Sequence, residues 1–110
     1  MNPGTIWYAK PDPTVGREQT GRRPVLVVSS SDFARNIPDL VVAVPLTSRD
    51  RGLRHHISVV GDDTNLESET WALCEQVRAI SRSRLDRMVG TVDRATLEAV
   101  RGVIATFLDL

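Results

Sequence analysis

Glu18 and Arg23 stand five positions apart and are side chains of the kinds that phosphodiester cleavage requires. A guanidinium presents a planar fork of donors matched to phosphate oxygens, and a carboxylate accepts a proton. Both belong to a polar stretch, Gly16-Arg17-Glu18-Gln19-Thr20-Gly21-Arg22-Arg23-Pro24, that runs directly into Val25-Leu26-Val27-Val28. Glycine at each end permits turn conformations, and the apolar run fixes the exit in a core, so the backbone of Arg23 is expected to be held. On local sequence alone the same residues also read as solvated charges at a strand edge. A second set follows another apolar run: Pro45-Leu46-Thr47-Ser48-Arg49 puts two hydroxyls and an arginine at the rim of whatever sheet contains residues 40–47. A third, Glu75-Gln76-Val77-Arg78, embeds polar groups among apolar ones, where a solvated outer face is the ordinary explanation.

The elements that must position these groups are short. β-branched and aromatic enrichment, bounded by Pro, Gly and Asp, predicts strands over 5–10, 24–29, 40–47, 54–60 and 71–80, with a stub at 88–91. Residues 31–36 allow one helical turn before Pro38, and a further turn is expected over 81–87. One amphipathic helix begins at Asp93, a good N-cap, with Val92 and Leu97 placed for a hydrophobic staple and Leu97, Val100, Ile104 and Leu108 at helical spacing. Five or six strands, a terminal helix and no βαβ alternation imply a mostly antiparallel, SH3-like barrel in a single domain spanning 1–110.

Length and charge exclude other classes. A 110-residue chain buries one core. It has no apolar run long enough to span a bilayer, and its first residues lack the basic-then-apolar pattern of a secretory signal, so a cytoplasmic protein with no membrane association is expected. The 14 basic and 14 acidic residues cancel, which argues against nucleic-acid binding by bulk positive charge. The acids are concentrated, however: residues 55–77 hold five and no basic residue, leaving local basic patches elsewhere. Thirteen of the basic residues are arginines, a bias that base composition explains as well as phosphate recognition does.

Cys74 is the only cysteine, which excludes an internal disulfide and a cysteine-pair metal site; a buried structural thiol is expected there. His55 and His56 suggest a base and acid pair. Neighbours on a strand point to opposite faces, so the two are not expected to serve one phosphate unless a bulge intervenes. Aromatic stacking platforms are few. Trp7 and Trp71 read as core or interface residues, and Arg17, Gln19, Arg49, Arg51 and Gln76 as better candidates for polar contacts to a phosphate-bearing ligand.

These segments, in this order, resemble the MazF/PemK family of toxin endoribonucleases from bacterial toxin–antitoxin systems. Gly4-Thr5-Ile6-Trp7 is similar to that family's G-[DE]-[IV]-[WY] start, and residues 12–19 to its DPtxGsEQ loop. Gly21-Arg22-Arg23-Pro24-Val25-Leu26-Val27-Val28 resembles its G-x-RPVLVV strand and Val44-Pro45-Leu46-Thr47-Ser48 its VxP[IL]TS element. Glu75-Gln76-Val77-Arg78-Ala79-Ile80, with Arg84-Leu85, resembles its [ED]Q[IV]R[TS]I and following RL. The resemblance implies a CcdB/PemK-like barrel, a symmetric homodimer, single-stranded RNA as substrate, and a cognate MazE-like antitoxin whose disordered tail blocks the RNA groove. It implies catalysis by Arg23 and Thr47, with Glu18 as the loop carboxylate acting as base. Arg17, Gln19, Ser48, Arg49, His56, Glu75, Gln76 and Arg78 are then the expected RNA contacts.

Attack by a ribose 2′-hydroxyl on its own phosphate needs a proton acceptor, a donor to the leaving oxygen and charge stabilisation, and so requires no metal or other cofactor. Some relatives use an arginine two residues before the fifth-strand carboxylate; Leu73 occupies that position here, so that variant of the mechanism does not transfer. The alternative is a non-catalytic toxin of the CcdB kind, which shares the barrel and inhibits DNA gyrase by binding it. Such a protein would not need Glu18, Arg23 and Thr47 together.

Overall fold

Residues 25–28 and 40–47 are apolar at nearly every position because the strands they form are covered on both faces. The computed structural model describes residues 1–10 and 23–110; the loop 11–22, with Arg17, Glu18 and Gln19, lies outside the described residues. Among the described residues there are seven strands: β1 (Thr5–Ala9), β2 (Arg23–Val27), β3 (Leu40–Thr47), β4 (His56–Ser58), β5 (Trp71–Leu73), β6 (Arg78–Ser81) and β7 (Leu85–Thr91). Two helices accompany them, α1 (Ser31–Asn36) and α2 (Arg94–Phe107). All strand pairs are antiparallel, in the order β4-β5-β3-β2-β1-β7, with β6 also on β3. The mostly antiparallel sheet with a terminal helix is as expected, but the barrel does not close: β4 and β7 stand at opposite ends of the pairing order.

Strand alternation divides the core in two. Leu26, Val28, Val44 and Leu46 join Ile6, Ala72, Cys74 and Val100 in one cluster, against which Leu97, Val103 and Ile104 of α2 pack. Val25, Val41 and Ala43 turn the other way, with Ala9 and Ile80, and are covered by Met1, Trp7 and Leu85. Leu26 and Val100 have no exposed surface, and each such side chain contributes about 1.5–3 kcal/mol.

The expected strand over 71–80 is instead two strands. Residues Cys74–Gln76 form a 3-10 turn between β5 and β6. The reason lies across the ladder in β3. Its first half, Leu40 to Ala43, pairs with β6, and its end, Leu46 and Thr47, pairs with β5. The interval contains Pro45, which has no N–H to give a neighbour, and the partner chain bulges away there. Two other boundaries also move: β4 covers only three of the expected residues 54–60, while the stub at 88–91 is the end of the seven-residue β7.

The helix begins where its cap predicts. The Asp93 carboxylate accepts from the Thr96 N–H at 2.8 Å, and that side-chain and backbone contact with Thr96 holds its carboxyl below the usual range. Arg101 donates from Nε and Nη2 to the Val28 carbonyl at 3.0 and 2.7 Å, fastening α2 to the end of β2. Among the described residues, no helix is long and apolar enough to cross a membrane.

The chain crosses itself most closely at Gly90, where a Cβ would stand 2.3 Å from the Asp63 carbonyl oxygen and 2.5 Å from that of Thr64. Backbone cannot give way there. Gly90→Ala is therefore expected to cost about 3 kcal/mol or more, whereas Gly102→Ala, on a helix position with nothing within 4 Å, should stabilise by about 0.5–1 kcal/mol. Urea denaturation of the two variants checks the opposite signs.

Candidate active site

Arg23 opens β2 and Thr47 closes β3, so each lies where a rigid strand meets a loop. The β2–β3 register pairs Val25 with Pro45, Leu26 with Val44 and Val27 with Ala43. That pairing ends two residues short of Arg23 and of Thr47, which lie beyond it at the ends of the two neighbouring strands. Both side chains line one cleft of about 800 Å³, with Ser48, Tyr8, Asn65, Glu67 and Arg87 also on its walls. The Thr47 hydroxyl oxygen accepts from the Arg49 backbone N–H at 3.1 Å. Its lone pair thus engaged, the hydroxyl keeps its proton for an acceptor in the cleft.

A smaller concavity of about 130 Å³ lies beside it, with Arg23 in common. Its floor is Val25, Ala43, Pro45 and Ile80, and its rim carries Lys10, Arg23, Arg78 and Arg84, with no acid among the described residues. Arg84 is committed to the Lys10 carbonyl, at 3.1 Å from Nε and 2.9 Å from Nη2. Lys10, Arg23 and Arg78 are the remaining cations of that rim, and Arg23 is shared by both hollows. This is the local basic surface that the zero net charge conceals.

The other expected site residues fall elsewhere. Ser48 lines the cleft and Arg49 follows it, exposed. Gln76 is exposed at the end of the 3-10 turn. His56 and Glu75 are not on the cleft wall: His56 Nε2 lies 3.1 Å from Glu75 Oε1, and His55 Nε2 lies 3.4 Å from the same oxygen. The expectation that adjacent histidines diverge is wrong here, because His55 belongs to the turn before β4 and only His56 obeys strand alternation.

Burial alone would push the Glu75 carboxyl up. Its own backbone N–H, the His56 hydrogen bond and the charges of His56 and His55 outweigh that and bring it below its ordinary 4.5. Cys74 is fully buried, and burial pushes its thiol up to about 11, the opposite of what a nucleophile needs.

Sequence reasoning did not find Tyr8, Glu67 or Arg87. Arg87 lies 5.4 Å above the Tyr8 ring, and the two occupy neighbouring strands in register. Nothing in either local sequence announces the pair, since Tyr8 falls inside the strand expected over 5–10 and Arg87 where a turn is expected.

Comparison with known proteins agrees with this architecture. The sequence model of the PemK-like, MazF-like toxins of type II toxin-antitoxin systems matches residues 2–108. The chain belongs to that family. It is 34% identical to the endoribonuclease PemK of Escherichia coli, over 98% of this chain and 82% of that protein. It is 30% identical to the endoribonuclease MazF9 of Mycobacterium tuberculosis, over 100% of this chain and 98% of that one. Its fold superposes on the MazF of a MazE–MazF complex from Deinococcus radiodurans with a TM-score of 0.84 at 27% identity, covering 100% and 96% of the two chains. The toxin is accordingly an enzyme of the endoribonuclease kind.

A lowered carboxyl pKa stabilises the folded state above its ordinary value and ceases to do so as pH falls through the folded one. Glu75→Gln should therefore melt below the wild type at pH 7, and the gap should narrow as pH drops from about 5 toward 3. Thermal melts across that range measure it.

Proposed function

We propose that this toxin cleaves single-stranded RNA in the cleft shared by Arg23 and Thr47, without a metal ion, by attack of a ribose 2′-hydroxyl on the adjacent phosphorus. The observation that carries the reading is that Arg23 and Thr47, from the ends of two neighbouring strands, line one opening.

In this reading Glu18 takes the 2′ proton and the 2′ oxygen bonds to phosphorus. Arg23 neutralises the added charge on the equatorial oxygens, and Thr47 donates its hydroxyl proton to one of them. The P–O5′ bond then breaks, the departing 5′ oxygen takes a proton from water while Arg23 donates a hydrogen bond to it, and Glu18 returns the 2′ proton to solvent. The products are a 2′,3′-cyclic phosphate and a 5′-hydroxyl. Ser48, Arg49, Gln76 and Arg78, with Arg17 and Gln19 of the loop, would hold the strand on either side of the scissile bond. His56 and Glu75, paired with each other away from the cleft wall, take no part in that contact. Guanidinium groups at Arg23 and Arg78 around an apolar floor support passage of a phosphate backbone across that face.

The same reading makes the single domain a homodimer, cytoplasmic like its substrate, and held inactive by a MazE-like antitoxin. The MazE–MazF complex that the fold resembles supports that partner.

Arg23→Ala should lower cleavage at least about 100-fold and Thr47→Ala about tenfold or more, both without change in melting temperature. Cleavage should persist in EDTA and leave 5′-hydroxyl ends. Incubation with a mixed single-stranded RNA followed by end mapping tests all of these. Retention of more than about a tenth of wild-type activity by Arg23→Ala would remove Arg23 from the mechanism, and absence of cleavage by the wild type would favour a CcdB-like binder.

A further inference from the structure

Outside the cleft, the side chains of His55, His56 and Glu75 are directed at one another, with one ligand atom of each lying within 4.8 Å of the others. We propose that these three residues form a binding site for a divalent transition-metal ion of the zinc class, clasping the turn before β4 to the 3-10 turn between β5 and β6.

The donor set is two imidazole nitrogens and one carboxylate, a combination that zinc accepts and that magnesium and calcium, which prefer oxygen, do not. Its dimensions fit. Zinc bonds of about 2.1 Å at tetrahedral angles put neighbouring ligand atoms about 3.4 Å apart. The two nitrogen-to-oxygen edges here measure 3.1 and 3.4 Å. The remaining edge closes by rotation of His55, whose side chain is about one-third exposed.

The supports are already in place. His56 has 2% of its side chain exposed and its Nε2 faces the cluster. His55 is braced edge-on by the His56 ring at 4.7 Å and by Phe107 of α2 at 5.7 Å. Cys74 is not a ligand, since its thiol is buried and turned to the Ala72 carbonyl, so water would fill the remaining positions. The surroundings favour a cation. Residues 55–77 carry five acids and no lysine or arginine, and the ion-pair partners of Glu75 among the described residues are the two histidines alone. The role is structural: the three ligands join β4 to the 3-10 turn, two segments separated by nineteen positions in sequence, and none of the three lines the cleft that holds Arg23 and Thr47.

The test uses the full chain without a histidine tag, and metal binding rather than cleavage is its readout. Titration with Zn²⁺ should show one site per chain, and a hundredfold excess over the dissociation constant should raise the melting temperature by roughly 10 °C. Co²⁺ should give a visible d–d spectrum on the same site. His55→Ala, at a partly exposed turn position, and Glu75→Gln should each abolish the site and the shift, and Mg²⁺ at equal concentration should produce none. The proposal is overturned if the wild type binds no Zn²⁺, if both variants bind as well as the wild type, or if Mg²⁺ shifts melting equally. The cluster would then be a carboxylate receiving two imidazole hydrogen bonds and nothing more.

Discussion

An eight-residue strand at the centre of a small sheet must pair along both edges, and β3 contains one residue that cannot donate to the ladder. Pro45 supplies no N–H, so one edge of β3 is divided between two short strands, and the chain between them leaves the sheet as the 3-10 turn at Cys74–Gln76. Much else follows from that interruption. It turns Glu75 away from the sheet toward the histidines, leaves Cys74 sealed beneath, and starts β6 in the register that puts Arg78 opposite Ala43. An uninterrupted strand over 71–80 would have sent these residues to alternating faces.

Charge is organised in the same way. The chain is neutral overall, yet one sheet face gathers Lys10, Arg23 and Arg78 at a rim that has no acid among the described residues. The segment that supplies most of the cluster around Glu75 has no basic residue. A protein that met its polyanionic substrate through net charge would bind any nucleic acid and lose that binding steeply in salt. A concavity lined by several cations favours strands that enter it.

What the sequence made legible was local or periodic. The bounds of β3 and the start of α2 follow from an apolar run and from a capping aspartate with its staple, signals contained within a dozen residues. The single strand over 71–80 failed because its break is imposed by Pro45, thirty residues away, and nothing within the segment records it. His55 and His56 were misjudged for a related reason: strand alternation was applied one residue beyond the strand. Arg23 and Thr47 stood out by type and by family resemblance, but their meeting at one cleft depends on the pairing of β2 with β3, which neither segment encodes alone. Tyr8, Glu67 and Arg87 reach the cleft only through the packing of separate strands and a loop, and no local motif precedes them.

The hold of Arg101 on the Val28 carbonyl bears on Arg23 from the opposite end of β2. The strand is pinned at its far end by a forked donor and at its near end by pairing with Ala9, so it behaves as a short beam clamped at both ends. Whatever freedom the guanidinium of Arg23 retains is then torsional, within its own side chain. A strand entering the cleft meets a cation whose point of attachment has already been fixed by the folding of the helix, and the ordering cost of bringing the charge to bear is confined to a few rotors.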